Sequence, residues 1–125
     1  YLEQGYNSLN QEALDEAVLY LEKSRSLDRS NRVTEQQLLR AYLYRGFTRY
    51  NAGDLPGTED DCWKGLALDE EIEGFHYILG AVYYRQNKIP EAIGEMEKVL
   101  ELNPNNKNAQ VLLEELKRIQ GGENN

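Results

Sequence analysis

The stretch NKIPEAIGEMEKVLELNPN, residues 87–105, decides the fold. Pro90 falls in the first turn of a helix, where a missing N–H costs nothing, just after the capping candidate Asn87. Asn103-Pro104-Asn105-Asn106 then ends the segment with turn residues. Shifted by 34 positions, the stretch lies in register over GDLPGTEDDCWKGLALDEE, residues 53–71, with Pro90 over Pro56 and Asp54 as the capping candidate there. EALDEAVLYLEKSRSLDRS, residues 12–30, extends the same register backwards. Recurrence of one helical unit in phase is the mark of a repeat architecture.

Outward from this stretch, apolar residues keep helical spacing, as in Leu14, Val18, Leu21 and Leu102, and the alternation of a strand is missing. Turn signals at Asn10-Gln11, Ser30-Asn31, Asn51-Ala52-Gly53-Asp54, Asn87-Lys88 and Asn103-Pro104, with a further turn at Asp69-Glu70-Glu71, divide the chain into seven expected helices. Their expected ranges are 1–10, 13–28, 34–52, 55–69, 72–86, 89–102 and 106–119, followed by a disordered polar tail at 121–125. Thr34 followed by Gln37 has the form of a capping box.

Gly46 and Gly80 stand 34 residues apart in the first helix of successive pairs, and Gly5 stands 41 before Gly46. The seven extra residues make about two helical turns, so phase is kept and the helix beginning near Thr34 is expected to be the longer one. Glycine within a helix costs about 1 kcal/mol relative to Ala, so its presence needs a reason. Ala17, Thr58 and Ala92 each follow one of these glycines by 12 positions, and facing small residues let paired helices approach closely.

A chain of 125 residues is one domain's worth and can bury a core without disulfide or metal support. A hydrophobic share of 40% excludes a mainly disordered chain, and no apolar run approaches the roughly 18 residues of a membrane span. Cys62 is the only cysteine, which excludes an intrachain disulfide or a thiolate metal cluster. The formal net charge of -8 repels a phosphate backbone, so nucleic acid is not the expected partner. Compartment is not readable from these residues.

Together these residues resemble the tetratricopeptide repeat, a unit of about 34 residues read as W-x2-L-G-x2-Y, then A-x3-F, then P. Leu79-Gly80, Tyr83, Ala92 and Pro104 carry the third copy, with His76 at the Trp position, Met96 at the Phe position and Val99 at a later small position. Tyr42, Gly46, Cys62 and Gly65 carry the second, where Arg45, Arg49, Thr58 and Glu70 depart from the pattern. Tyr1, Gly5, Ala17, Leu21 and Ser24 carry the first, where Gln4, Ser8 and Arg29 depart. The resemblance spans about residues 1–120 and implies an all-α class: an α-α superhelix, or solenoid, of about three helix pairs. The units fall at about 1–33, 34–72 and 73–106, with a capping helix at 106–119. Tyr1 at the Trp position implies a first helix without its opening residues.

In that family one stripe of each first helix lines a concave groove that holds a partner peptide. The resemblance assigns to it Leu2, Tyr6, Leu9 and Asn10, then Leu43, Phe47, Tyr50 and Asn51, then Tyr77, Ala81, Tyr84 and Arg85. Tyrosine offers large contact area, few rotors and a polar tip, which suits a recognition surface; packing inside a narrow superhelix is the alternative. With Arg40 and Arg85 near the ends of the wall, the candidate peptide-binding residues are Tyr6, Arg40, Leu43, Phe47, Tyr50, Asn51, Tyr77, Tyr84 and Arg85. The expected partner is a protein or peptide, apolar or aromatic with some acidic residues. Chaperone-binding members hold a terminal carboxylate through Lys, Asn and Arg at positions that here are Leu2, Tyr6, Tyr44, Gly74 and Ile78, none of which can do so. The implied function is a protein–protein interaction scaffold with no enzymatic activity, cofactor or metal. Self-assembly through an exposed solenoid end that includes Leu2 and Leu9 is the alternative.

Residues that could carry chemistry have plainer readings. His76 and Cys62 occupy core positions of the repeat, and Asp69-Glu70-Glu71 is an interhelical turn without calcium-loop spacing. Trp63 is expected toward the convex side. Arg25, Arg29, Arg32, Arg40, Arg45 and Arg49 make a basic stretch, and Arg45 and Arg49 are expected to pair with Glu59, Asp60 or Asp61 of the next helix.

Overall fold

The computed structural model describes the backbone of residues 2–122 and the side chains of residues 11–122. Six helices make up the described residues: α1 (Leu2–Leu27), α2 (Arg32–Asn51), α3 (Leu55–Leu68), α4 (Glu73–Arg85), α5 (Ile89–Leu102) and α6 (Lys107–Gly122). Each packs on its neighbour in sequence, and α2 also meets α4, which is how consecutive helix pairs stack into a solenoid. The fold is all-α. The seven additional residues lie where the spacing predicts: α2 has 20 residues against 13 in α4, while α3 and α5 have 14 each.

The first segment differs from expectation, since one helix of 26 residues replaces the two expected over 1–10 and 13–28. The later turns show why. Gly53 (φ +85°) and Asn87 (φ +60°) take the left-handed conformation that ends α2 and α4. The residue in register with them in the first copy is Glu12, which lacks the ease of Gly or Asn in that region, so the helix runs on. Asn87 thus serves as a turn residue and not as a cap; the cap position of α5 is Lys88, without a side-chain hydrogen bond. The cap of α2 also differs from the expected Thr34 box. Asn31 Oδ1 accepts the N–H groups of Val33 and Thr34 at 3.1 and 3.2 Å, one turn earlier. Asp54 caps α3 as expected, accepting from Gly57 N–H at 3.0 Å. The last helix continues through Gly121 and Gly122, and residues 123–125 lie outside those described.

Two apolar clusters fill the solenoid. Val18, Leu38, Tyr42, Cys62, Leu66, Phe75, Ile78, Leu79 and Val82 join α1 through α4. Ala92, Ile93, Met96, Val99, Ala109 and Leu116 join α5 to α6, and Tyr83 packs against both clusters. At Gly80 a Cβ would stand 2.2 Å from Met96 Cε and 3.5 Å from the Ala92 carbonyl oxygen, which is the close approach that the glycine spacing implies.

A polar tie crosses the first helices. Asp61, without accessible surface, accepts from Arg45 and Arg49, and Arg45 also reaches Asp15 of α1 at 3.1 Å. Of the three acids expected as partners for these arginines, Asp61 takes the role. Burial opposes the Arg45 charge, but hydrogen bonds and charge from Asp61 and then Asp15 outweigh it and hold the guanidinium above its ordinary range. Tyr42 donates its hydroxyl to Glu22, adding a second link between α1 and α2.

Candidate functional site

The stripe of α2 that faces α4 is not covered by side chains along its whole length. Arg40, Leu43, Tyr44 and Phe47 follow one another at helical spacing and form one wall of a cavity of about 590 Å³. Glu73, Gly74, Tyr77 and Ile78 from the first half of α4 form the other wall, and Asn106 and Asn108 at the start of α6 close one end. A volume in this range is that of a ligand-binding cleft, and the walls are chiefly apolar. A smaller cavity of about 330 Å³ lies beside it, between α1 and α2, lined by Gln11, Leu14, Thr48, Asn51 and Ala52 with Tyr44 and Phe47. Tyr44 and Phe47 therefore form an aromatic ridge between the two, with 59% and 54% of their surface exposed.

The rim is polar and held in place. Glu73 accepts from Asn103 Nδ2 at 3.0 Å and from Asn106 Nδ2 at 2.9 Å. Asn106 Oδ1 in turn accepts the Ala109 N–H at 3.0 Å, so a single amide caps α6 and fixes an acid at the mouth of the cavity. Gly74 keeps the wall thin: a Cβ there would stand 3.0 Å from Leu43 Cδ1.

Of the residues expected to line a groove, Arg40, Leu43, Phe47 and Tyr77 come together at the larger cavity, and Phe47 and Asn51 at the smaller. Tyr50 is half-buried against the core, and the Arg85 guanidinium lies over its ring, 4.9 Å from the centroid, while donating to the Tyr50 carbonyl at 3.1 Å. Tyr84 is exposed further along α4. Tyr6, with Leu2 and Leu9, lies outside the described side chains.

Tyr44, Glu73, Gly74, Ile78, Asn106 and Asn108 also line this cavity and are not among the expected peptide-binding residues. The periodicity follows the right pair of helices but favours their second halves, whereas α6 walls the cavity at the first half of α4. Tyr44, Gly74 and Ile78, the positions that the resemblance equates with carboxylate-holding residues in chaperone-binding members, all line this cavity, where they present an aromatic ring, a bare backbone and an aliphatic chain.

The other candidates form structural contacts. His76 Nδ1 stands 2.8 Å from Glu95 Oε1 and its Nε2 3.0 Å from the Glu70 carbonyl, which joins the α3–α4 turn to α5; neither His76 nor Glu95 lines the two cavities. Burial, then the charge of Asp61, pushes the Cys62 thiol up to about 12, away from the reactive thiolate form. Trp63 is half exposed on α3. Among the described residues no helix is long and apolar enough to cross a membrane, and no group of three or more His, Cys, Asp or Glu could hold a metal ion.

The family profile of the tetratricopeptide repeat matches residues 74–106. Among solved structures the chain is similar to the first TPR of Spaghetti (RPAP3) bound to the HSP90 peptide SRMEEVD, at 25% identity and TM-score 0.66, over 94% of this chain and 88% of that one. It is also similar to the first TPR domain of the human RPAP3 protein, at 24% identity and TM-score 0.66, over 98% and 91%. The Arabidopsis OM64 TPR domain matches at 21% identity and TM-score 0.65, over 93% and 90%.

Proposed function

We propose that this chain, a tetratricopeptide-repeat protein with the solenoid fold of such domains, is a non-enzymatic scaffold that holds a partner peptide across the Tyr44–Phe47 ridge. The observation that carries this reading is the apolar cavity of about 590 Å³ with an exposed aromatic ridge at its edge. Large apolar side chains left in water beside a cleft are the usual mark of an interaction site. The Spaghetti domain, 25% identical, binds an HSP90 peptide, which supports a peptide as the class of partner. The apolar character of Tyr44, Gly74 and Ile78 favours a side-chain anchor over a terminal carboxylate as what enters the cavity. The partner is then an extended or helical segment with apolar or aromatic anchors and a few acids, held at about micromolar strength. Arg40, Leu43, Phe47 and Tyr77 contact the anchor, Asn51 the segment over the smaller cavity, and Tyr6, Tyr84 and Arg85 extend the surface, with Tyr50 beneath Arg85 as its support.

Selection from a displayed random-peptide library with wild type and Phe47→Ala tests this. Enriched apolar or aromatic motifs that the variant fails to retain are expected; recovery of the same peptides by both proteins would sink the groove reading.

A second reading, self-assembly, has one observation in its favour. Leu19, Tyr20 and Leu27 of α1 are 67%, 72% and 80% exposed at the end of the solenoid opposite α6. Sedimentation that reports a strict monomer at high concentration would remove it.

A further inference from the structure

Three arginines, one in the α1–α2 turn and two on the first half of α2, are left without an acid. Arg25, Arg45, Arg49 and Arg118 each reach a carboxylate, whereas Arg29, Arg32 and Arg40 have none within 4.0 Å among the described residues, in a chain of formal net charge -8. All three are exposed. Leaving cations free in an acidic protein is a local departure from its own charge pattern.

Two further clefts, of about 660 and 350 Å³, connect them to the groove. Arg29 and Arg32 share the first with Gln36 and Leu39; Gln36 and Leu39 share the second with Arg40 and Leu43; Arg40 and Leu43 are walls of the apolar cavity. Arg32, Gln36, Leu39 and Leu43 recur at steps of four, three and four, so they form one continuous stripe of α2. The stripe is basic at the start of the helix and apolar where it enters the cavity. Two acids also border the first cleft, and both are engaged: Glu35 lies 3.9 Å from Arg25, and Asp69 accepts the Glu71 N–H at 3.0 Å.

Resting on the groove reading, we infer that the bound peptide leaves the cavity along this stripe with an acidic segment, one carboxylate on Arg40 and the next on Arg32 and Arg29. Charge complementarity selects this occupant. The opposite exit, over the smaller cavity, offers Gln11, Thr48 and Asn51, which carry no charge to select an acid. Helix geometry sets the spacing. Arg32 and Arg40 are about 12 Å apart along the axis, a distance an extended peptide covers in about four residues. The partner therefore carries an apolar anchor, an acid close to it and another about four positions on.

Fluorescence anisotropy with the full chain and three labelled synthetic peptides tests the inference. One peptide has a Leu-Phe anchor followed by two glutamates about four positions apart, one has the reverse order, and one has glutamine for glutamate. At low salt one acidic order should bind about fivefold tighter than the glutamine peptide, the scale of one or two exposed ion pairs, and high salt should erase the gain. The double variant Arg29→Gln, Arg32→Gln should reduce the gain without altering the glutamine peptide, and Arg40→Gln, at the cavity wall, should reduce the gain as well. Thermal melts should match wild type, because none of the three guanidiniums has an ion pair to lose. Equal affinity of acidic and glutamine peptides, or a gain untouched by the arginine variants, overturns the stripe and leaves the groove standing. Failure of every peptide to bind overturns both.

Discussion

Arg45 reaches Asp61 through both Nε and Nη2, at 3.0 and 2.7 Å from the same oxygen, in a place where Asp61 has no accessible surface. Arg49 takes the other oxygen at 3.0 Å, so one buried carboxylate anchors two guanidiniums of α2 to α3. Removing it strands Arg45 inside the molecule, and Asp61→Ala should destabilise the fold by about 3–5 kcal/mol. Asp15, whose carboxylate is about half exposed, touches the same arginines from α1, and Asp15→Ala should lose less than about 1 kcal/mol. Urea unfolding of the two variants checks the ranking; equal losses would contradict it.

Gly65 lies under the ring of Phe75, where a Cβ would come within 2.1 Å of Cζ. Phe75 is itself fully buried and has no free space to rotate into. Alanine gains about 1 kcal/mol of helix propensity at an interior position, yet overpacking of about 1–3 kcal/mol should prevail. Gly65→Ala is expected to lower the melting temperature, and a variant as stable as wild type would show that α3 and α4 can part at this point.

Alkaline conditions should weaken the fold through Cys62. Its thiol is raised to about 12 in the folded chain, from an ordinary value of 9.0, because burial and then Asp61 oppose the thiolate. Above about pH 9 the unfolded chain loses a proton that the folded chain keeps, so stability falls with rising pH by up to about 1.4 kcal/mol per unit until the folded thiol also ionises. Tyr42, raised by burial and by its bond to Glu22, acts in the same sense above its ordinary 10.0. Stability of Cys62→Ala measured between pH 8 and about 11 should show a shallower decline than wild type; parallel curves would rule Cys62 out as the source.

The groove predicts separable effects on binding and stability. Phe47→Ala removes an exposed ring and should weaken an apolar peptide by about 1–2 kcal/mol with little change in melting temperature. Tyr50→Ala removes a ring that packs against the core under Arg85 and should lower the melting temperature as well. Gly74→Leu should block the cavity from its α4 wall. A neutral peptide should lose little affinity as salt is raised, since contact with Tyr and Phe is not screened. Calorimetry beside thermal melts distinguishes the cases, and loss of stability in Phe47→Ala equal to that in Tyr50→Ala would make Phe47 a packing residue.

Helical phase is a local property, so the sequence by itself determines the repeat, the longer α2 and the glycine at the tight crossing near Ala92. It also determines, through Pro56 and the cap of Asp54, where α3 begins. The continuity of α1 depends on one dihedral choice at Glu12, which apolar periodicity does not report but a comparison with Gly53 and Asn87 does. Only tertiary structure decides which part of an apolar stripe stays uncovered. Phe47 and Tyr50 are three residues apart on α2, yet Arg85 crosses from α4 to cover Tyr50, while Phe47 stays open beside a cavity that Asn106 and Asn108 wall from α6. The same holds for charge: Arg45 finds Asp61 and Asp15 on two other helices, and Arg40, five residues earlier, finds no acid within 4.0 Å among the described residues. Periodicity sets which face a side chain belongs to, and its neighbours from distant segments set whether that face is core, rim or free surface.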